Sequence, residues 1–507
     1  MAYSKTPMQD TEQTKQVALV YEWENRLQSD FSPVPDPKQT VAQNIFYEIV
    51  SNQSTGETYY NVIKRDGYTT EFTQGANVLG IYYWQEVNRL IVVTSTEIVL
   101  YNVTTGVATT TTPTASFASA NAQFFGVNFT EFLFEDGTVN LVIASDGVIG
   151  MLQPSGSWNP ITDPDLPSQF NAYPVFLDGY LFISGYDGNI YNSNLNDPYN
   201  WTASNFISAE SYADRTWAIA RAGNYIVALG TTSTEFFYNA ANPTGTPLAR
   251  VDGATQEIGY IQGLVNTDNA LYFVGRSSRG APSVYTIRGL KISEVGTPTV
   301  RRWLGTTSIS KNSRGHLVNM SGHRFYVVSQ NRDNLEPTQT YMLDLDNNMW
   351  SSLVLREDDE GPFIFSSTTV FQNNVTDLYA QALTFFSEYN TLTVKAFRPE
   401  AYNDDTTTNF TCQFTTRPMD FGNYRVKFMS RLLFYTDQTA TSSVMNVSWS
   451  DDDLQTFSTP RPVDLSYVYQ PLYACGSFRK RAFKITYTDN FHMRWKSIEV
   501  DYNQGQA

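Results

Sequence analysis

Cysteine is scarce in this 507-residue chain, which carries only Cys412 and Cys475. A 57.2 kDa chain stapled for an oxidising compartment would normally hold more. Assembly in a reducing cytosol is therefore expected. The two cysteines could pair as far as the sequence goes, but free, buried thiols are the expectation. Charge is also low, with Asp, Glu, Lys and Arg making up 17% of residues, and the Ala/Leu/Glu/Lys stretches of long helices are nearly absent. No apolar run is long enough to span a bilayer, and the polar opening residues lack the apolar core of a signal peptide, so neither membrane anchor nor secretion is expected. Triplets such as Asn128-Phe129-Thr130 and Asn446-Val447-Ser448 then carry no weight as glycosylation sites.

The chemistry-bearing motifs are missing too. No Gly-rich phosphate loop with Lys-Ser/Thr, no HExxH, no CxxC pair and no GxSxG elbow occurs. Histidines number three, His316, His323 and His492. His316 and His323 flank one expected strand turn, but without a third His or Cys nearby they read as ordinary strand positions. No catalytic residue, metal site or cofactor is assigned.

What the chain does have is aromatic and β-favouring. Tyr and Phe stand at 32 each, among many Thr and Val. From Trp217 to Tyr238, short alternating runs are separated by Ala222-Gly223-Asn224 and Gly230–Ser233, the pattern of an antiparallel meander with one buried face. Comparable units lie at Asn77–Val103, Phe124–Leu152, Tyr173–Trp201, Gly263–Val295 and Arg314–Leu353. Their spacing of roughly 40–50 residues is the period of four-stranded propeller blades. The reading is an all-β chain. Residues 1–40, broken by Pro33, Pro35 and Pro37, form an N-terminal arm or linker with a short helix around Thr14–Arg26. Residues 41–375 form a six-bladed β-propeller, seven being the alternative, in which an early strand could complete the last blade. From about Tyr379 the alternating runs lengthen, and residues 376–507 read as a C-terminal β-sandwich.

One local motif stands out. Ser450, Asp452, Thr456 and Phe457 resemble the Asp box, S-x-D-x-G-x-T-W, with Leu454 in place of Gly and Phe457 in place of Trp. That box is a folding device, whose Asp accepts backbone N–H groups while the Thr pins the hairpin. A structural turn is expected here.

The net charge of −16 argues against a nucleic-acid clamp, which needs a basic footprint. It is compatible with a surface that DNA passes without sticking.

Several ordered segments resemble the tail nozzle or tail hub (packaged-DNA stabilisation) proteins of short-tailed bacteriophages. They are Phe176–Tyr180, Asn196–Trp201, Gly223–Tyr238, Val251–Ala254 and Glu257–Gly259, then Phe273–Arg276, Arg279-Gly280, His323–Tyr326, Thr340-Tyr341 and Trp350, and finally Val447–Asp452 and Arg479–Phe483. The resemblance implies a virion protein assembled in the host bacterial cytoplasm, a homo-oligomer of six copies ringed below portal and adaptor. It also implies contacts with tail fibres or spikes and a tail plug or needle, and a channel for genomic DNA without sequence-specific binding. The acidic loops Asp163–Asp165, Glu357–Glu360 and Asp451–Asp453 are either lumen-facing or solvated outer loops. The alternative is a tail-associated propeller that binds or cleaves glycans, which would carry a cleft of aromatics and carboxylates.

Overall fold

The structure is a computed structural model. It describes residues 13–18, 42–51, 58–117, 126–209, 211–212, 214–267, 269–306, 313–330, 340–354, 365–371, 383–388, 391–405 and 407–505. The chain divides into two compact units, each drawn from separate stretches.

The first unit comprises Thr69–Leu345 and Pro362–Arg398. It contains seven sheets, one more than the six read from the sequence. Blades 1 to 5 are meanders of four consecutive strands. Blade 1 runs over Val78–Trp84, Arg89–Thr94, Ile98–Tyr101 and Ala108–Thr111, and blade 2 over Asn128–Leu133, Val139–Ser145, Val148–Leu152 and Trp158–Pro160. Blades 3, 4 and 5 begin at Val175–Leu177, Thr216–Ala222 and Ile258–Asn266. Blade 6 contributes Ser313–Met320, His323–Gln330 and Thr340–Asp344 to this unit.

Blade 7 combines Phe365–Phe371, Leu383–Glu388 and Thr393–Arg398 with Gly67–Thr73, far upstream. An early strand thus completes the last blade and covers its edge. The run at Thr393–Arg398, read from sequence as sandwich, belongs to this blade.

In blades 1 to 5 the second strand is apolar for most of its length, because neighbouring blades cover both its faces. Val139–Ser145 and Arg89–Thr94 are buried almost from end to end. Adjacent blades share cores: Ile91 and Val93 pack with Leu141 and Ile143, Val142 and Met151 with Leu181 and Ile183, and Phe182 with Ile226 and Phe237. Leu229 and Phe236 pack with Leu271 and Phe273. Tyr272 stacks on Tyr326 at 5.5 Å, and His316 lies against Phe365 at 5.4 Å. The ring closes where blade 7 meets blade 1. There Ser367 Oγ and Thr369 Oγ1 accept the Ile81 and Tyr83 amides, each at 2.9 Å.

Between blades 5 and 6 the amphipathic helix Pro298–Thr306 buries Val300 and Leu304.

The second unit gathers Met1–Tyr68, Asp346–Gly361 and Pro399–Ala507. The contiguous 376–507 sandwich of the sequence reading is thus a sandwich stitched from three stretches. In one sheet Ile45–Ser51 pairs with Thr58–Lys64, followed in order by Arg494–Gln504, Lys427–Thr436 and Leu472–Tyr473. In the other, Trp350–Leu353, Ala42–Gln43, Cys412–Thr415, Ala482–Tyr487, Val444–Ser450 and Arg461–Asp464 run side by side. The two faces share one core that includes Tyr47, Phe414, Ile485, Trp495 and Val500.

Gln13–Ala18 pairs antiparallel with Arg494–Gln504, from Gln13 opposite Tyr502 to Ala18 opposite Ser497. The helix expected around Thr14–Arg26 is therefore a strand where it is described, since an open strand edge offers partners to every second backbone group. The remainder of the 1–40 arm and the Glu357–Glu360 loop lie outside the described residues.

Candidate functional site

The turn singled out by sequence caps the hairpin between Val444–Ser450 and Arg461–Asp464. Asp452 Oδ1 accepts the Gln455 amide at 3.1 Å and the Thr456 amide at 3.0 Å, and Thr456 Oγ1 donates to Oδ2 at 2.6 Å. Ser450 Oγ donates to Asp452 Oδ1 at 2.8 Å while accepting the Leu454 amide at 2.9 Å. The Thr456 hydroxyl and amide, then Ser450, hold the Asp452 carboxyl at about 2. Leu454 adopts a left-handed φ of 67° where the box has Gly, and its side chain is buried. Phe457 lies under the Lys484 ammonium at 5.4 Å. Ser450, Asp452, Thr456 and Phe457 thus lie on one turn, with Asp452 bonded to Ser450, Gln455 and Thr456.

Two neighbouring acids are paired. Arg481, itself buried, grips both Asp451 oxygens at 2.7 Å, and Lys480 pairs with Asp453. Asp163 accepts the Asp165 amide at 2.8 Å in a local turn.

The histidines and cysteines remain apart. On the paired strands, Met320 faces His323 while His316 faces Val327, so the two imidazoles cannot share one ion. His323 Nδ1 sits 3.0 Å from buried Asp344, and burial drives His316 down to about 3. Cys412 and Cys475 are both free and buried, and burial pushes the Cys412 thiol up to about 11.

An arrangement invisible in sequence joins blades 3, 5 and 6. Tyr173, just before the first strand of blade 3, meets Tyr260 of blade 5 across blade 4, hydroxyl to hydroxyl at 3.0 Å. Tyr326 of blade 6 donates to the Gly263 carbonyl at 2.8 Å beside them. On one side of them a cavity of about 1240 Å³ opens, lined by residues of blades 1 to 5.

A comparison with solved structures returns distant likenesses at low identity. The streptogramin B lyase structure is 12% identical over 70% of this chain and 98% of that one, with a TM-score of 0.39. The N-terminal domain of Nup159 is 8% identical over 71% and 100%, at 0.39. A catalytically inactive virginiamycin B lyase from Staphylococcus aureus with quinupristin is 11% identical over 70% and 99%, at 0.41. Likenesses this distant carry no argument about chemistry. No curated protein matches the chain. Among protein families, the one described as Bacteriophage P22 Gp10, β-propeller, matches residues 47–375, well over half of the chain, and the chain belongs to that family.

Proposed function

We propose that this chain is a structural subunit of a short phage tail. In this reading several copies, six by the resemblance, ring the DNA path below portal and adaptor, hold the packaged genome and conduct it during ejection. The observation that carries the proposal is the family match over residues 47–375, to a family named for phage stabilisation. Fibres or spikes dock on the outside of the ring, and a plug or needle closes it.

The geometry constrains where DNA can run. In this reading DNA does not thread the propeller, where the Tyr173 and Tyr260 hydroxyls meet across blade 4. The conduit in this reading is a lumen between copies. Each copy brings a net charge of −16, and such walls repel phosphate instead of releasing its counterions. Retention then comes from a narrow gate or plug and not from affinity. Of the acidic loops, Asp451 and Asp453 are neutralised by Arg481 and Lys480, which leaves Asp163–Asp165 and Glu357–Glu360 as the lumen candidates.

The test has two arms. Native mass measurement of the full chain, alone and with its adaptor, should give a hexamer. Particles assembled without the chain should package DNA and then lose it, with retention restored by adding the protein. A trimer, or particles that keep their genome without the chain, would overturn the reading.

A further inference from the structure

The cavity in the propeller has a lining that the nozzle role does not require. It is formed by residues on successive blades, with Tyr173, whose hydroxyl meets that of Tyr260, in its lining. Its volume of about 1240 Å³ exceeds the roughly 300–1,000 Å³ of ordinary small-molecule pockets. That is room for more than one ring of a ligand.

The lining chemistry narrows the ligand class. In a chain of net charge −16, the lining carries one acid, Glu131, and one base, Arg221. A phosphate or carboxylate ligand would want several bases, and a polycation several acids. The remaining polar groups are amides and hydroxyls, in the company of aromatic rings. Tyr82 of blade 1 and Phe129 of blade 2, both in the lining, stack on each other with centroids 5.3 Å apart and planes 19° from parallel, an aromatic pair in the wall. The Tyr82 hydroxyl donates to Glu131 Oε1 at 3.0 Å, which fixes the carboxylate and leaves its second oxygen able to accept. Opposite, Asn266 spends its amide N–H on the Arg221 carbonyl at 3.1 Å and keeps its own oxygen as an acceptor.

Aromatic rings beside two fixed acceptors, the Glu131 carboxylate and the Asn266 amide oxygen, match a ligand with C–H faces and equatorial hydroxyls. We propose that this cavity is a binding site for a neutral oligosaccharide, through which the propeller engages a glycan of the host surface. Tyr82 and Phe129 supply the stacking platform, and Glu131 and Asn266 accept hydroxyl protons. The site needs one chain only, so it stands or falls independently of the ring.

The experiment is a glycan array spanning neutral, acidic and amino-sugar oligosaccharides, probed with the full-length protein and followed by titration calorimetry with the best-retained glycan. Neutral glycans are expected to be retained. Phe129→Ala is expected to weaken the best of them more than tenfold, and Glu131→Gln several-fold. Glu131→Gln keeps the side-chain shape, so it reports on the site even if Phe129→Ala fails to fold, and Tyr473→Ser in the other unit should leave affinity unchanged. Retention of no glycan, retention of acidic glycans alone, or affinities untouched by both cavity variants would overturn the proposal.

Discussion

The propeller and the sandwich bury different things. Between blades the core is mostly apolar and aromatic, contributed by meanders that follow one another in the chain, with Glu235, Asp344 and Lys395 as its few buried charges among the described residues. The sandwich buries Lys64, Arg65, Asp404, Lys427 and Arg481 almost completely. Arg65 binds both Asp404 oxygens at 2.9 and 2.8 Å, the Asp66 carbonyl at 2.8 Å and the Val354 carbonyl at 3.3 Å, with its guanidinium 3.6 Å from the Phe410 ring centre. Asn44 beside it accepts the Val354 amide and donates to the Thr411 carbonyl. Those partners come from all three stretches of the sandwich. Lys427 similarly collects the carbonyls of Asn423, Arg425 and Arg479. A repeat that stacks on its neighbour finds its register through the ladder itself. A unit assembled from distant stretches uses charged hubs whose many directed bonds admit one arrangement.

That contrast can be broken at its hub. Arg65→Met leaves Asp404 buried without its counter-charge, which should cost about 3–5 kcal/mol. Adding Asp404→Leu should recover most of the loss, since replacing both partners removes the stranded charge. In scanning calorimetry the sandwich transition should fall while the propeller transition holds. If both transitions move together, the two units do not differ as argued.

Acid and alkali should also separate the units. His316 is driven from 6.5 to about 3 by burial between blades 6 and 7. Between those values the unfolded chain takes a proton that the folded propeller refuses. Stability is full above pH 6.5 and is lost as pH falls, by up to about 1.4 kcal/mol per pH unit. The pH dependence of the difference in melting between wild type and His316→Phe isolates this contribution from the carboxylates, and it should level off above pH 7. In the sandwich, burial lowers Lys64 from 10.5 to about 8 and raises Cys412 from 9.0 to about 11. The unfolded state holds more protons at Lys64 from pH 8 upward, so the sandwich gains stability there. From pH 9 Cys412 opposes the gain, because the folded state then keeps a proton that the unfolded one releases.

Steric tolerance sharpens the propeller side. A Cβ on Gly259 would stand 2.1 Å from the Thr231 carbonyl oxygen at the junction of blades 4 and 5. Gly259→Ala should cost about 1–3 kcal/mol through backbone displacement. It should lower the propeller transition alone.

The same contrast explains what could be read in the sequence. Blades 1 to 5 were legible because hairpin turns such as Ala222-Gly223-Asn224 punctuate apolar strands at a steady period. Blade 7 was not, because Gly67–Thr73 joins strands that lie some three hundred residues later, and no local period links them. The sandwich hid its first strands for the same reason: Ile45–Ser51 and Thr58–Lys64 look like the opening of a propeller until they pair near Arg494–Gln504. The turn at Ser450–Phe457 was legible because its bonds span at most four residues. The propeller cavity was not, since Tyr82, Glu131, Arg221 and Asn266 come from different blades, and Tyr173 and Tyr260 are 87 residues apart.

The smallest effect belongs to that legible turn. Asp452 is fully exposed even though it gathers three backbone and hydroxyl donors from residues 455 and 456. Water can take over those donors once the carboxylate is gone, so Asp452→Ala should lower the sandwich melting temperature only slightly. Leu454 sets the scale for comparison. Its left-handed φ of 67° costs about 1–2 kcal/mol against Gly, but its buried side chain returns about 1.5–3 kcal/mol. Leu454→Gly should therefore destabilise the sandwich modestly, despite restoring the residue the box prefers. The pH dependence gives the Asp452 effect its signature. Its carboxyl is depressed from 3.8 to about 2 in the folded state, so its contribution is present above pH 3.8 and is lost as pH falls through about 2. Wild type and Asp452→Ala should differ in sandwich melting at pH 5 and converge near pH 2. A difference that persists at pH 2 would mean that the turn is held by the shape of the side chain and not by its charge.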